Sequence, residues 1–276
     1  MKKIIFSRPA ITVNEDTFFV GEDFGFVLDG ATGLLKENIS PKPSDAQWFV
    51  LKISEILQKT ILMDLSLNEI VANAIKQADQ EYMSFEGAQN IKSKPSSGIA
   101  LYRKRNETLE YFLLGDVSLL VELKDGTIKE FLMQELPKLD GENIQKMAQI
   151  AKEKGIHVID ARPLINDDLL RVRLSQNTPH GYYILGDNPE AAKHALSGSI
   201  PLHQVKSITA LSDGYSQTYD TFDLFKEPKQ LIEKLETTTP EEIYEQLWQL
   251  QEQDYYCDEH PRFKIRDDAT IIHVVL

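Results

Sequence analysis

Four Asp-Gly pairs occur in this sequence, at Asp29, Asp125, Asp140 and Asp213. Asp125 and Asp140 stand in polar surroundings, "LKDGT" and "KLDGEN", and read as turns. Asp29 and Asp213 differ, because each closes an apolar run ("FGFVLD", "ITALSD") and is followed by small or polar residues. A carboxylate at a strand end is held rigidly where a site can open. Asn14-Glu15-Asp16 lies between two strand-like segments, and Arg266-Asp267-Asp268 immediately precedes the last one. Asp116 interrupts the apolar run "LEYFLLGDVSLLVEL". A buried aspartate is costly unless paired or bound to a metal. The alternative reading there is a tight Gly115-Asp116 turn between two short strands.

Oxygen-only donors of this kind suit hard cations, magnesium or manganese, rather than zinc. The six histidines show no paired ligand spacing, and Cys257 is the single cysteine, so a zinc site is not expected. Ser212 and Ser216 flank Asp213-Gly214, but no Gly-x-Ser-x-Gly elbow surrounds a nucleophile. A phosphate loop of the Gly-x-x-x-x-Gly-Lys type is also missing.

The 276 residues suit one large domain or two small ones, at ~150 residues each. With 42% hydrophobic and 26% charged residues the composition is that of a globular chain with a sizeable core. The net charge of -13 argues against a nucleic-acid partner, which requires a basic face. It leaves small phosphorylated groups open as substrates, because a bound divalent cation inverts the local field. A lone cysteine fits a reducing cytoplasm. The apolar run of "MKKIIFSRPA" is too short for a signal-peptide core, and none approaches the ~20 residues of a membrane span. A soluble, cytoplasmic protein with no membrane partner is expected.

These carboxylates need a scaffold. "KIIFSRPAITV" and "DTFFVGEDFGFVLD" read as strands, the second folded at "GED". Ser44 and Asp45 open a helix whose Trp48, Leu51, Ile56 and Leu57 suggest one apolar stripe. Ser66 and Glu69 form a capping box for a second helix, and the two read as an antiparallel pair. Four strands follow, over "GIALYRK", "LEYFLLGD", "SLLVELKDG" and "TIKEFLMQ", with Asp125-Gly126 as a hairpin turn. Between Pro137 and Ile200 the pattern predicts a helix stopped by Gly155, a short strand over "GIHVID", and otherwise loops. "VKSITALSDGYSQ" reads as strand into turn, helices cover "PKQLIEKLETT" and "PEEIYEQLWQLQEQD", and "DDATIIHVVL" is a closing strand. Grouped strands with flanking helices indicate one α+β domain.

In order and approximate spacing, "NED", "FGFVLDGATG", "SSGIALYR", "LLGDVSLLV", "ITALSDGY" and "RDDATIIHVVL" resemble the metal-dependent protein phosphatases, the PPM or protein phosphatase 2C group. The resemblance runs from Asn14 to Leu276 and is weakest between Pro137 and Ile200. It implies a four-layer αββα sandwich, two packed antiparallel sheets flanked by helix pairs, in a single domain with a variable segment around 137–200. It also implies a Mn²⁺- or Mg²⁺-dependent hydrolase acting on phosphoserine or phosphothreonine in a protein substrate, through a metal-activated water. Asp29 would bridge two ions, and Gly30 would offer its carbonyl to one. Asp213 and Asp267 match further metal ligands. Glu15 and Asp16 match the pair that holds metal-bound water, Asp116 a weaker third site, and Asp268 a supporting position.

The resemblance breaks in three places. Ile11 stands where the family carries a phosphate-gripping arginine; Arg8 is the nearest replacement and Arg173 the next. Ala31 and Thr32 depart from the usual glycine-rich motif, and Gln217 stands near an expected aspartate. Two classes therefore stay open: an active phosphatase, favoured by the retained aspartates, and a phosphatase-like regulatory binding module, favoured by Ile11.

Overall fold

The computed structural model describes residues 2–33 and 38–276. The chain begins with β1 (Lys2–Arg8), β2 (Thr17–Val20) and β3 (Phe24–Ala31). β1 is shorter than the expected strand through Val13, because Pro9 has no N–H with which to extend the ladder. Gly21-Glu22-Asp23 joins β2 to β3 as the expected hairpin, the Gly21 N–H donating to the Phe24 carbonyl.

Two helices follow, α1 (Asp45–Thr60) and α2 (Leu67–Tyr82). Ser44 caps α1, and Ser66 with Glu69 forms the expected capping box of α2. The buried face of α1 runs through Trp48, Phe49, Ile53, Ile56 and Leu57, whereas Leu51 is 41% exposed and outside the stripe. The fully buried Arg103 donates to the carbonyls of Ile61 and Leu65 and pairs with Glu110. It thereby satisfies carbonyls beyond α1 that no helix bond reaches.

The strands β4 (Ser96–Arg105), β5 (Thr108–Leu114), β6 (Ser118–Leu123) and β7 (Ile128–Phe131) fall where the alternation places them, with Asp125-Gly126 turning β6 into β7. Next come α3 (Glu135–Lys154), α4 (Val158–Ala161) and α5 (Asn166–Leu174). Three expectations fail here. Asp140-Gly141 is no turn but lies inside α3, whose buried Leu136, Asn143, Met147 and Ala151 carry a helical period across it; packing overrides the local cost of glycine. "GIHVID" is not a strand. α4 forms there instead, its Val158 and Ala161 sealing a cluster with Met147, Ile165 and Cys257, while the Val158 N–H donates to Asp258. Finally, the segment expected to be loop-rich contains α5 and also β8 (Leu196–Pro201), which pairs along β5. Gly155 does stop α3, in the left-handed region at φ 64°.

The chain closes with β9 (Val205–Leu211), α6 (Asp213–Asp220), α7 (Pro228–Leu235), α8 (Pro240–Gln253) and β10 (Ala269–Val275). Among the described residues the strands form two antiparallel five-stranded sheets, β1-β10-β9-β6-β7 and β2-β3-β4-β5-β8. Their inner faces pack through Val27, Ala100 and Leu113 against Leu119, Ala210 and Ile272. The alternate residues Phe26, Leu28 and Leu101 face α1 and α2. On the other sheet Leu120, Leu211 and Ile271 face Tyr215, Leu231 and Ile243 of α6, α7 and α8. Both faces of each sheet are covered, so these strands read as continuous apolar runs. The result is the expected α+β sandwich of four layers, αββα. Among the described residues no helix is long and apolar enough to cross a membrane.

Candidate active site

The acidic residues singled out in the sequence meet at one end of the sandwich. Asp29 ends the apolar part of β3, Asp213 opens α6 just after β9, and Asp267 and Asp268 lead into β10. The hydrogen bonds between these segments fix their mutual placement. The Asp213 N–H, at the N-terminus of α6, donates to Asp29 Oδ2 at 3.4 Å. Ser212 Oγ donates to Asp16 Oδ2 at 2.7 Å and accepts from the Thr270 N–H at 2.9 Å. Ser212 thus ties the 14–16 segment to the end of β9 and to β10, a role that the sequence reading did not assign to it.

Asp268 is a support rather than a free ligand. Its Oδ1 accepts from the Ala10 N–H at 2.7 Å and its Oδ2 from the Glu15 N–H at 2.6 Å. Both oxygens are thereby committed to folding residues 10–15 over the cluster. Glu15 is further held by Thr32, whose hydroxyl donates to its carboxylate. Two glycines allow the close approaches. A Cβ on Gly30 would lie 2.4 Å from the Glu15 carbonyl oxygen, and one on Gly214 would lie 2.0 Å from that of Asp268. Ordinary side chains at either position would hold these segments apart.

Asp116 reconciles the two readings left open for it. Gly115, at φ 84°, makes a tight connection, but β5 and β6 belong to different sheets, so the turn carries the chain between layers. It sets Asp116 Oδ1 near Gly98, the register partner of Asp29. Asp140 of α3, read from sequence as a surface turn, comes close enough that Asp116 adds to the effect of burial in pushing its carboxyl up to about 7.

The electrostatics show what this convergence costs. Burial, followed by repulsion from Asp213, Asp16, Asp116 and Asp267, raises the Asp29 carboxyl well above its ordinary range. Burial and then Asp267 and Asp116 do the same to Asp213. Asp16, 6% exposed, is pushed up to about 7 by burial against the opposing Ser212 hydrogen bond. Its Oδ1 is buried with no hydrogen-bond partner among the described residues. By contrast the buried Asp45 accepts from Ile39, Ser40 and Tyr82. Mutually repelling buried carboxylates, one with an unpartnered oxygen, are what a hard divalent cation would satisfy, so the donor set fits manganese or magnesium. As these side chains are oriented, no three acidic, histidine or cysteine groups among the described residues enclose an ion position. One reason is visible: Asp267 turns both oxygens to the ammonium of Lys264, at 2.8 and 2.7 Å. Although burial opposes it, Asp267, with Asp213 and Asp29 beyond, holds that ammonium above its ordinary range.

The two arginines proposed for phosphate have different fates. Arg8 is engaged elsewhere: it pairs with Glu245 of α8 and lies over the Trp248 ring, 4.5 Å from its centroid. Trp248 also carries Arg266 at 3.7 Å, so the Arg8 guanidinium contributes to the β1–α8 packing. Arg173 is at the site. Its Nη2 donates to the Ala31 carbonyl at 2.7 Å, its charge reaches Asp116, and its Nε is buried without a partner among the described residues. Ile11, in the place of the expected arginine, is 87% exposed.

No protein-family model and no curated protein matches the sequence. Solved structures do. PppA, a key regulatory component of the T6SS in Pseudomonas aeruginosa, matches at 15% identity and a TM-score of 0.57, over 100% of this chain and 97% of its own. The Mycobacterium tuberculosis serine/threonine phosphatase PstP/Ppp matches at 12% identity and a TM-score of 0.58, over 100% of this chain and 98% of its own. The catalytic domain of the serine/threonine protein phosphatase PstP in complex with two manganese ions matches at 13% identity and a TM-score of 0.53, over 99% of this chain and 96% of its own. Identities this low establish architecture rather than activity, and the architecture agrees with the resemblance read in the sequence: the whole chain has the fold of the bacterial serine/threonine phosphatases.

Proposed function

We propose that the protein is a Mn²⁺- or Mg²⁺-dependent phosphatase acting on phosphoserine or phosphothreonine in a protein substrate. The observation that carries this reading is the convergence of Asp16, Asp29, Asp213 and Asp267 from distant segments, with the carboxyls of Asp16, Asp29 and Asp213 raised and one Asp16 oxygen without a hydrogen-bond partner among the described residues. An acidic pocket without a cation would repel a phosphate dianion and destabilise its own fold, so the arrangement makes sense only with positive charge added.

Asp29, the Gly30 carbonyl, Asp213 and Asp267 would hold two ions, with Glu15 and Asp16 orienting water and Asp116 serving a weaker third. Such ions acidify a bound water and neutralise phosphoryl oxygens. The chain itself supplies the rest. Asp268 holds the 10–15 segment over the pocket, and Ser212 sets the orientation of Asp16. Arg173, from the 137–200 segment, stands where its fork can meet a phosphate once it leaves the Ala31 carbonyl.

The second reading, a regulatory binding module, is supported by the exposed Ile11 and by the Lys264 ammonium on Asp267. Hydrolysis of an aryl phosphate with and without manganese separates the two. Turnover that requires manganese and disappears in Asp29→Asn supports the enzyme. Absence of manganese-dependent turnover at any concentration supports the module.

A further inference from the structure

The segment that carries Lys264 is anchored on both sides of it. Arg262 Nη1 donates to Asp254 Oδ2 at 2.6 Å and to the His260 carbonyl at 2.7 Å, and its Nε donates to the Ile265 carbonyl at 3.1 Å. Phe263 and Ile265 pack against the α3–α5 cluster. Arg266 stacks on Trp248 and pairs with Glu252. The Lys264 backbone is thus pinned, while its side chain remains 57% exposed and reaches Asp267 over a flexible stem. Among the described residues both hydrogen bonds of its ammonium go to one carboxylate, that of Asp267.

We infer that Lys264 is a built-in counter-ion: its ammonium neutralises the acidic pocket through Asp267 in the metal-free protein, and must swing into solvent before Asp267 can receive a divalent cation. The inference rests on the metal-dependent reading above and adds a residue that competes with the ion. A lysine suits this role better than an arginine, being a point charge on a mobile stem rather than a planar fork bound bidentately. The same residue would let the chain fold and persist without metal, at the expense of metal affinity.

The test is manganese titration by calorimetry on the full chain, with melting curves in excess chelator, for wild type, Lys264→Met and Lys264→Arg. Lys264→Met should bind manganese about tenfold more tightly than wild type, equivalent to about 1.4 kcal/mol. In chelator it should melt lower, by about 3 °C, and added manganese should close that gap. Lys264→Arg, which keeps the charge, should retain wild-type metal-free stability; it also provides the comparison if the methionine variant folds poorly, since it should not bind manganese more tightly than wild type. Equal affinities of wild type and Lys264→Met for manganese would overturn the inference while leaving the phosphatase reading intact. An unchanged metal-free melting temperature in Lys264→Met would overturn it equally, since the ammonium would then be neutralising nothing. If neither protein takes up manganese, both the inference and the metal-dependent reading fall.

Discussion

Gly214 is the position at which one methyl group should undo the site without touching any of its carboxylates. It is the second residue of α6 and is buried. A Cβ there would stand 2.0 Å from the Asp268 carbonyl oxygen, 2.9 Å from its carbonyl carbon and 3.3 Å from that of Asp267. All three obstacles are backbone atoms, so no rotamer change relieves them. Reaching ordinary van der Waals contact requires α6 and the 267–268 loop to separate by more than about 1 Å. That displacement moves Asp213 from one side and Asp267 from the other, and strains the bonds from Asp268 to Ala10 and Glu15. Overpacking typically costs about 1–3 kcal/mol, and the upper half of that range applies where backbone must yield. A 1 Å misplacement of reacting groups costs on the order of 100-fold in rate. Gly214→Ala should therefore unfold at lower urea, bind manganese weakly and lose most manganese-dependent aryl phosphate hydrolysis. Gly141→Ala is the control: it lies inside α3 with open space around it, and should gain about 0.5–1 kcal/mol from helix propensity. Wild-type stability and turnover in Gly214→Ala would refute the packing account of the site.

Three further outcomes are expected. Arg173→Met should raise the Michaelis constant for an aryl phosphate by about tenfold or more, the value of a charge-assisted contact, with manganese dependence kept, whereas Arg8→Met should change it less than about twofold; steady-state kinetics on both variants decides between them. Asp213→Asn should abolish manganese uptake in calorimetry yet raise the metal-free melting temperature at pH 8, because it removes a charge that burial and Asp267 disfavour. His273, 3% exposed and bonded to Thr209 at 2.8 Å, is held neutral by burial, its pKa lowered to about 4. The unfolded chain binds the extra proton between pH 6.5 and about 4 and the folded one does not, so this stability is present above pH 6.5 and is lost as pH falls through that window. It amounts to about 3 kcal/mol at most, and His273→Gln should flatten that part of the urea-midpoint profile; an unchanged slope would show that His273 is not the group responsible.

Much of this molecule is written locally. The caps at Ser44 and Ser66, the β2–β3 and β6–β7 hairpins and the stop at Gly155 all depend on a few neighbouring residues, and each formed as read. The strand-end aspartates were legible for a similar reason, since a carboxylate closing an apolar run is conspicuous in one dimension. Tertiary structure decided what local signals could not. Asp140-Gly141 is a turn by composition and a helix by packing, and "GIHVID" became a helix whose Val158 and Ala161 seal the cluster around Met147. β8 exists because β5 offers an edge. Arg8 and Arg173 carry the same side chain, yet α8 supplies one with a glutamate and an indole ring while α5 brings the other to Ala31 and Asp116. Nothing in "FKIRDD" says that Lys264 faces Asp267 with Asp213 and Asp29 behind it. Hydrogen bonds and charges between segments hundreds of residues apart depend on the closed sandwich, and the sequence alone cannot display distances through space.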